Sequence, residues 1–99
     1  MKRALQRRRV FDSLKEHLDV IKRVIRGLDP NAEVYLFGSV AEARSNLSSD
    51  IDVLIVTKVE PAKVHLELWR AGVKEPFEFH VHTKDEATFY EGRVRLLKV

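Results

Sequence analysis

The first long segment of the chain repeats its apolar residues every three or four positions. These residues are Val10, Leu14, Leu18, Ile21, Ile25 and Leu28. Such steps place them on one face of an amphipathic helix. Ser13 and Glu16 have the spacing of a capping box at its start, and Asp29-Pro30 ends it. The pattern predicts a helix across residues 10–28, or one that starts earlier in the basic stretch before it.

Three later segments have the patterns of β-strands. Residues 33–37 (E-V-Y-L-F) form a short, mostly apolar run. Residues 51–57 (I-D-V-L-I-V-T) are apolar at odd and even positions after their acidic start, which predicts a strand buried on both faces. Residues 77–82 (F-E-F-H-V-H) alternate apolar with polar side chains, as in a strand with one apolar and one polar face.

Short helices are predicted between and after these strands. V-A-E-A-R at 40–44 is one candidate, and Pro61 is suited to the first turn of another, which Gly72 closes. A further short helix is predicted from Lys84, whereas residues 93–99 fit a helix, an edge strand or a tail equally well. This order of elements predicts an α/β (α+β) fold, a small mixed sheet of about three or four strands with helices packed on it.

Composition narrows the class of protein. A chain of 99 residues with 44% hydrophobic and 33% charged residues is expected to form one globular domain, residues 1–99. Without cysteine it has no disulfide framework and no thiolate site, and a cytoplasmic location is expected. It has no apolar run of membrane-spanning length and no signal-peptide core. The high charge content and the lack of cysteine are typical of a thermophile's protein.

Positive charge is concentrated in the N-terminal arm, residues 1–9. Its basic residues are Lys2, Arg3, Arg7, Arg8 and Arg9. Two interpretations remain open: an arm that binds a phosphate backbone or an acidic partner, or a solvated helix start. The net charge of +3 is too small to identify a nucleic-acid-binding protein by itself.

Two neighbouring motifs carry candidate chemistry. Gly38-Ser39 lies where a strand gives way to a helix, a place where main-chain N–H groups can bind phosphate. Asp50 and Asp52 lie two positions apart at the start of the most apolar strand, so their side chains share a face. Their mutual repulsion would be relieved by a divalent cation, and Mg²⁺ accepts carboxylate and phosphate oxygens. Each motif alone also fits an ordinary turn or cap, but the two together form a defined pattern.

The stretch from Leu36 to Val56, L-F-G-S-V-A-E-A-R-S-N-L-S-S-D-I-D-V-L-I-V, resembles the signature of minimal nucleotidyltransferases in the polymerase-beta-like superfamily. The order of the elements around it agrees with that fold. The resemblance implies that Gly38 and Ser39 hold the triphosphate of ATP. It also implies that Asp50 and Asp52 bind Mg²⁺, with two ions expected.

The resemblance further implies a third carboxylate on a later strand, and Glu78 is the matching residue, with Glu where many members have Asp. As the third catalytic and metal-binding residue, it would hold the metal that activates the acceptor. The loop departs from the common G-S-x-A-R-G, with Glu42 and Ala43 at its last two positions. Arg44 is the nearest candidate to replace the missing arginine as a phosphate contact.

The sequence leaves several roles open for two histidines and favours structural positions for three aromatic residues. His80 and His82 lie on the same predicted face as Glu78, either as nucleotide contacts, as ligands of a zinc or other transition-metal site with Glu78, or as exposed polar side chains. Three aromatic residues are expected in the core or an interface rather than as platforms for bases. They are Tyr35, Trp69 and Tyr90.

The resemblance leads to a functional expectation: Mg²⁺-dependent transfer of AMP from ATP to a protein or other hydroxyl acceptor. Small members of the family are often antitoxins paired with a helical HEPN toxin, which they adenylylate on tyrosine, so a HEPN partner is expected by analogy. An alternative is a catalytically inactive module that neutralises a partner by occlusion, as the altered loop at Glu42 and Ala43 would allow. A nucleic-acid-binding function of residues 1–9 is possible but less favoured, and no membrane contact is expected.

Overall fold

The computed structural model describes residues 13–38, 41 and 50–99. Within them the elements are α1 (Leu14–Leu28), β1 (Glu33–Phe37), β2 (Ile51–Val56), α2 (Pro61–Arg70), β3 (Phe77–His82), α3 (Lys84–Ala87) and β4 (Leu97–Lys98). The basic arm at 1–9 lies outside the described residues, and of the predicted helix at 40–44 only Ala41 is described, as a buried residue in a turn. The strands and helices predicted in the described ranges are present.

The four strands form one mixed sheet in the order β3-β2-β1-β4. β2 pairs in parallel with β3, whereas β1 is antiparallel to both β2 and β4. This confirms the α+β fold with a small mixed sheet. The C-terminal stretch whose structure the sequence left undecided contributes the edge strand β4, in which Leu97 lies opposite Leu36.

β2 is the centre of the hydrophobic core because both of its faces are covered. On one face, Ile51, Val53 and Ile55 pack with residues of α1 and α2. On the other face, Leu54 and Val56 join a second cluster formed with Phe37 and Ala87, against which Tyr35, Tyr90 and Leu96 pack. The prediction that this strand is buried on both sides is confirmed.

The start of α1 differs from the prediction. Ser13 occupies the N-cap position, but its side chain makes no capping hydrogen bond, and its Oγ lies 3.3 Å from His17 Nδ1. The predicted capping box of Ser13 and Glu16 is therefore wrong. A capping box is found instead at α3, where Thr83 N–H donates to the Glu86 carboxylate at 2.8 Å. That backbone hydrogen bond is the main reason why the pKa of Glu86 is lowered.

The end of α2 turns the chain towards β3. Gly72 adopts a positive φ of 83°, a conformation that L side chains rarely adopt. Its N–H donates to Trp69 O and the N–H of Val73 donates to Leu68 O, both at 3.0 Å, which is the Schellman arrangement. The sequence-based assignments of Pro61 to the first turn and Gly72 to the end of this helix are confirmed. No helix in the described ranges is both long and apolar enough to cross a bilayer.

Trp69 lies on the surface rather than in the core. Its side chain is 62% exposed, and the ammonium of Lys74 lies 4.4 Å from the ring centroid. The sequence predicted the core or an interface for Trp69. The core is excluded, because its helical position faces away from the sheet, and an interface position stays a prediction. Tyr35 and Tyr90, by contrast, pack half-buried against the second core cluster, as expected.

The carboxyl end of β2 is closed by a hydrogen-bonded turn. Buried Thr57 donates its hydroxyl to Asp29 Oδ2 at 2.6 Å, and Asn31 N–H donates to Asp29 Oδ1 at 3.0 Å. These bonds, that from Thr57 first, hold the pKa of the Asp29 carboxyl below its ordinary value of 3.8. An open groove of about 850 Å³ lies beside this turn, towards Lys58 and Thr83.

Candidate active site

The opposite end of β2 brings candidate site residues from three strands together. Asp52, the second residue of β2, lies opposite Phe37 of β1 on one side and Glu78 of β3 on the other. Because pairing in register places directly opposed side chains on the same face, Asp52 and Glu78 project together from the sheet. His80 follows two positions after Glu78 and therefore shares that face.

Three of these side chains form a compact group of metal-binding donors. One donor atom each from Asp52, Glu78 and His80 lies within 4.8 Å of the others. His80 Nε2 is 3.3 Å from Asp52 Oδ1 and 3.8 Å from Glu78 Oε1. The side chains of Asp52 and His80 are 25% and 28% exposed, whereas that of Glu78 is 56% exposed. Asp52 and His80 are therefore held by their surroundings, and Glu78 is freer to adjust.

Gly38 is fitted against this group. It has a positive φ of 76°, and a Cβ added at this position would collide with the Asp52 carboxylate. A side chain at position 38 would therefore strain the backbone and displace Asp52. The sequence predicted that Gly38 lets a phosphate approach the main chain. The structure adds a second reason for glycine, because the Asp52 carboxylate occupies the space of a Cβ.

The charges of the group favour a cation. Two carboxylates lie side by side, and no lysine or arginine in the described ranges forms an ion pair with either of them. Like charges at directly opposed strand positions repel. A hard divalent cation relieves that repulsion and takes carboxylate oxygens as ligands. The donor set of Asp52 and Glu78 therefore fits the Mg²⁺ that the sequence led us to expect.

Of the remaining predicted site residues, the structure describes only Asp50. Asp50 is exposed and lies one residue before β2, outside the three-donor group. Its role as a metal ligand stays a prediction. Ser39 and Arg44, the predicted phosphate contacts, lie outside the described residues, as do Glu42 and Ala43 of the altered loop.

The structure separates the two histidines that the sequence could not distinguish. His80 faces Asp52, and its ring packs against that of Phe37 with 4.9 Å between centroids. His82 instead places Nε2 3.1 Å from the Tyr90 hydroxyl, and its Nδ1 lies 3.5 Å from Glu86. Only His80 thus belongs to the donor group. The alternation of the strand placed both on the correct face but carried no information about their partners.

Comparison with known proteins finds a matching family model and a similar solved structure. The family model described as a nucleotidyltransferase domain matches residues 18–98. A crystal structure described as a "putative nucleotidyltransferase" is similar, with a TM-score of 0.62, 34% sequence identity, and coverage of 84% of this chain and 97% of the other. No curated protein matches the chain significantly. Since the family model spans most of the sequence, including β1, β2 and β3, the chain belongs to the nucleotidyltransferase domain family.

Proposed function

We propose that this chain is a metal-dependent nucleotidyltransferase that moves AMP from ATP onto a hydroxyl group of a protein or other acceptor. The observation that carries the proposal is the pairing of Asp52 with Glu78 on neighbouring strands of a nucleotidyltransferase domain. Phosphoryl-group chemistry depends mainly on positioning and on neutralising negative charge, and paired carboxylates that bind divalent cations supply the means for both.

The reaction has a simple balance. The acceptor hydroxyl attacks the α-phosphorus of ATP, the bond from that phosphorus to the bridging oxygen of the β-phosphate breaks, and pyrophosphate leaves. Bound Mg²⁺, with two ions expected, supplies charge neutralisation at the attacking and leaving oxygens. Asp52 and Glu78, with Asp50, are the proposed ligands. Glu78 is also the proposed acceptor of the hydroxyl proton, because it is the most exposed member of the three-donor group.

Three residues that follow β1 in the sequence are the proposed contacts of the triphosphate. Gly38 keeps the main chain accessible beside Asp52, and Ser39 and Arg44 are assigned phosphate contacts from the family resemblance alone.

The protein acceptor is proposed to be a helical HEPN toxin, which makes this chain its antitoxin. This step rests on the resemblance to small nucleotidyltransferases. The exposed apolar side chains of α2 are compatible with a docking face, since Leu66 is 47% exposed and Trp69 is 62% exposed. The cytoplasm is the expected compartment, and a single domain over residues 1–99 the expected organisation.

Label transfer tests the enzymatic proposal. The full chain, purified with any co-purifying protein, is incubated with Mg²⁺ and ATP labelled at either the α- or the γ-phosphate. We expect the α-label alone to become attached to a protein acceptor. Asp52→Asn should abolish the transfer, and Asp19→Asn, which makes the same chemical change on the exposed side of α1, should not.

Two results would contradict the proposal. Transfer of the γ-label would indicate a kinase. No transfer together with no Mg²⁺-dependent ATP binding would leave the inactive, occluding module as the better description. A labelled band identified as a small helical protein would support the HEPN pairing, whereas a labelled nucleic acid would contradict it.

A further inference from the structure

We propose that His80 turns the carboxylate pair into a three-donor site that prefers nitrogen-binding divalent cations such as Co²⁺ and Zn²⁺ over Mg²⁺. The inference deepens the proposed function, and its catalytic consequence rests on that function, but the binding itself requires only the three side chains. The sequence left several roles open for His80 and His82, one of which was a transition-metal site with Glu78. The geometry selects His80 for that site and adds Asp52 as a further donor.

The separations from the His80 nitrogen are close to those of ligands that share one ion, and the Asp52 and Glu78 donor atoms lie within 4.8 Å of each other. Two donors about 2.1 Å from an ion lie about 3.0 Å apart at an octahedral angle and about 3.4 Å apart at a tetrahedral angle. His80 Nε2 and Asp52 Oδ1 are separated by 3.3 Å, which falls within this interval. Glu78 Oε1 is slightly farther from the same nitrogen, at 3.8 Å. Because Glu78 is more than half exposed, its side chain has room to rotate towards a shared ion.

The imidazole is held in place by its neighbours. His80 lies opposite Leu54 in the parallel register, above the second core cluster, and the ring of Phe37 packs against it at an interplanar angle of 66°. Such packing reduces the conformational entropy that the ring loses when it binds an ion. The His80 ring is therefore held in a fixed position, unlike two surface carboxylates that lie close together by chance.

Donor chemistry then sets the preference among cations. Mg²⁺ binds oxygen ligands in a near-ideal octahedron and retains several waters, so an imidazole adds little to its affinity. Zn²⁺ and Co²⁺ accept imidazole nitrogen well, whereas carboxylate, carbonyl and water oxygens are the ligands suited to Mg²⁺. His80 should therefore increase the affinity for Co²⁺ and Zn²⁺ much more than the affinity for Mg²⁺. The metal identity of this nucleotidyltransferase domain would then depend on His80 as well as on its carboxylates.

Cobalt binding tests the proposal without nucleotide or acceptor. The full chain is titrated with Co²⁺ and its visible absorption is recorded, followed by a competition titration with Mg²⁺. We expect one Co²⁺ per chain and a loss of affinity of at least about tenfold in His80→Asn. The Mg²⁺ affinity should change less than about threefold, because oxygen ligands dominate its binding. His82→Asn is the matched control, since His82 lies on the same strand face but contacts Tyr90 and Glu86.

A second measurement needs no variant and therefore does not depend on variant folding. In the ¹⁵N-labelled wild-type chain, Zn²⁺ should shift the Nε2 resonance of His80 and leave the ring nitrogens of His82 and His65 unchanged. An unchanged His80 Nε2 resonance, or equal Co²⁺ affinity in wild type and His80→Asn, would overturn the proposal. His80-dependent Co²⁺ binding in a chain that transfers no nucleotide would overturn the proposed function alone, and the reverse pair of results would overturn this inference alone.

Discussion

Asp29 and Asp52 lie near opposite ends of β2, and their surroundings differ in kind. The Asp29 carboxylate accepts hydrogen bonds from the Thr57 hydroxyl and from a backbone N–H, and its pKa is lowered as a result. The Asp52 carboxylate faces a second carboxylate, that of Glu78, and an imidazole. One carboxylate is satisfied by the chain itself, whereas the other lies in a group of donors suited to a cation.

We interpret this difference as that between a carboxylate that stabilises the fold and one that is proposed to serve a reaction. Hydrogen bonds to the charged form of Asp29 make the folded state more favourable. The adjacent carboxylates of Asp52 and Glu78 are expected to repel each other and so to make the sheet less stable in the absence of a cation. Sites kept in spite of a cost to stability are commonly functional. The groove beside Asp29 is open, but its carboxylate is already engaged, and we assign the chemistry to the other end.

The largest expected effect comes from making the same substitution at the two ends. Asp52→Asn should reduce nucleotide transfer on the order of 1,000-fold, since losing a metal ligand removes several kcal/mol of transition-state stabilisation. It should leave the unfolding temperature unchanged or higher, because repulsion from Glu78 is relieved. Asp29→Asn should lower the unfolding temperature and leave transfer unchanged. Label transfer and thermal unfolding of both variants check these expectations. A loss of transfer in both variants would contradict the assignment of the chemistry to the Asp52 end of β2 alone.

A smaller effect is expected from a methyl group at Gly38. Gly38→Ala should cost about 1–2 kcal/mol through its positive φ and reduce transfer by about 100-fold by displacing the Asp52 carboxylate. Gly72→Ala is the matched control, because Gly72 also has a positive φ but nothing lies within 4 Å of an added Cβ. It should show the backbone cost without the loss of transfer. Denaturant unfolding and label transfer on both variants separate the two contributions, and equal activities would show that the contact with Asp52 is unimportant.

The stability contributed by the hydrogen bond between Thr57 and Asp29 should depend on pH. Thr57→Val removes the hydroxyl bonded to Asp29 with little change in shape, and the variant should be less stable than wild type at neutral pH. Because this bond lowers the pKa of Asp29 in the folded state, the stabilisation is complete above the ordinary pKa of 3.8. It is lost as the pH falls through the lowered folded pKa, so the difference between the two proteins should shrink on acidification. Denaturant unfolding across pH 2–7 checks this expectation, which a difference that grows in acid would contradict.

The smallest effect is expected from an ion pair at the surface between β4 and β1. Lys98 Nζ lies 3.8 Å from Glu33 Oε1, with side chains 62% and 33% exposed. Lys98→Met should change the free energy of unfolding by less than about 0.5 kcal/mol, because solvent screens such pairs. Transfer should not change. A change in unfolding free energy above about 1 kcal/mol would show that exposed charge pairs contribute to the fold as much as the bonded carboxylate of Asp29.

Local patterns in the sequence predicted most of the fold. The apolar steps of α1, the doubly apolar β2 and the alternating β3 each depend on burial that repeats along a short segment. The edge strand β4 could not be assigned, because Leu97–Lys98 is too short to have a pattern of its own and forms through pairing with β1. For Trp69 the sequence left the core and an interface open, because helical spacing does not specify which flank of α2 meets the sheet, and the structure excludes the core.

The site was predictable to a different extent. Parity along β3 and the family resemblance together pointed to Asp52 and Glu78, and the structure brings these two side chains together. The register that sets them opposite one another depends on pairing between distant segments, which no local pattern encodes. His80 and His82 were equivalent in sequence, and the nearby Tyr90 and Asp52 distinguish them. The assignments of Asp50, Ser39 and Arg44 remain predictions.

The parallel pairing of β2 with β3 also bears on the order of folding. All of α2 separates these strands in the chain, so the pairing closes a long loop and has a higher entropic cost than local contacts. A partly folded chain that lacks β3 holds Asp52 without Glu78 or His80. We therefore expect a cation to bind only the completed sheet and to favour it by mass action. Catalytic competence would then arise late in folding. A partly folded chain that lacks β3 would not transfer nucleotide.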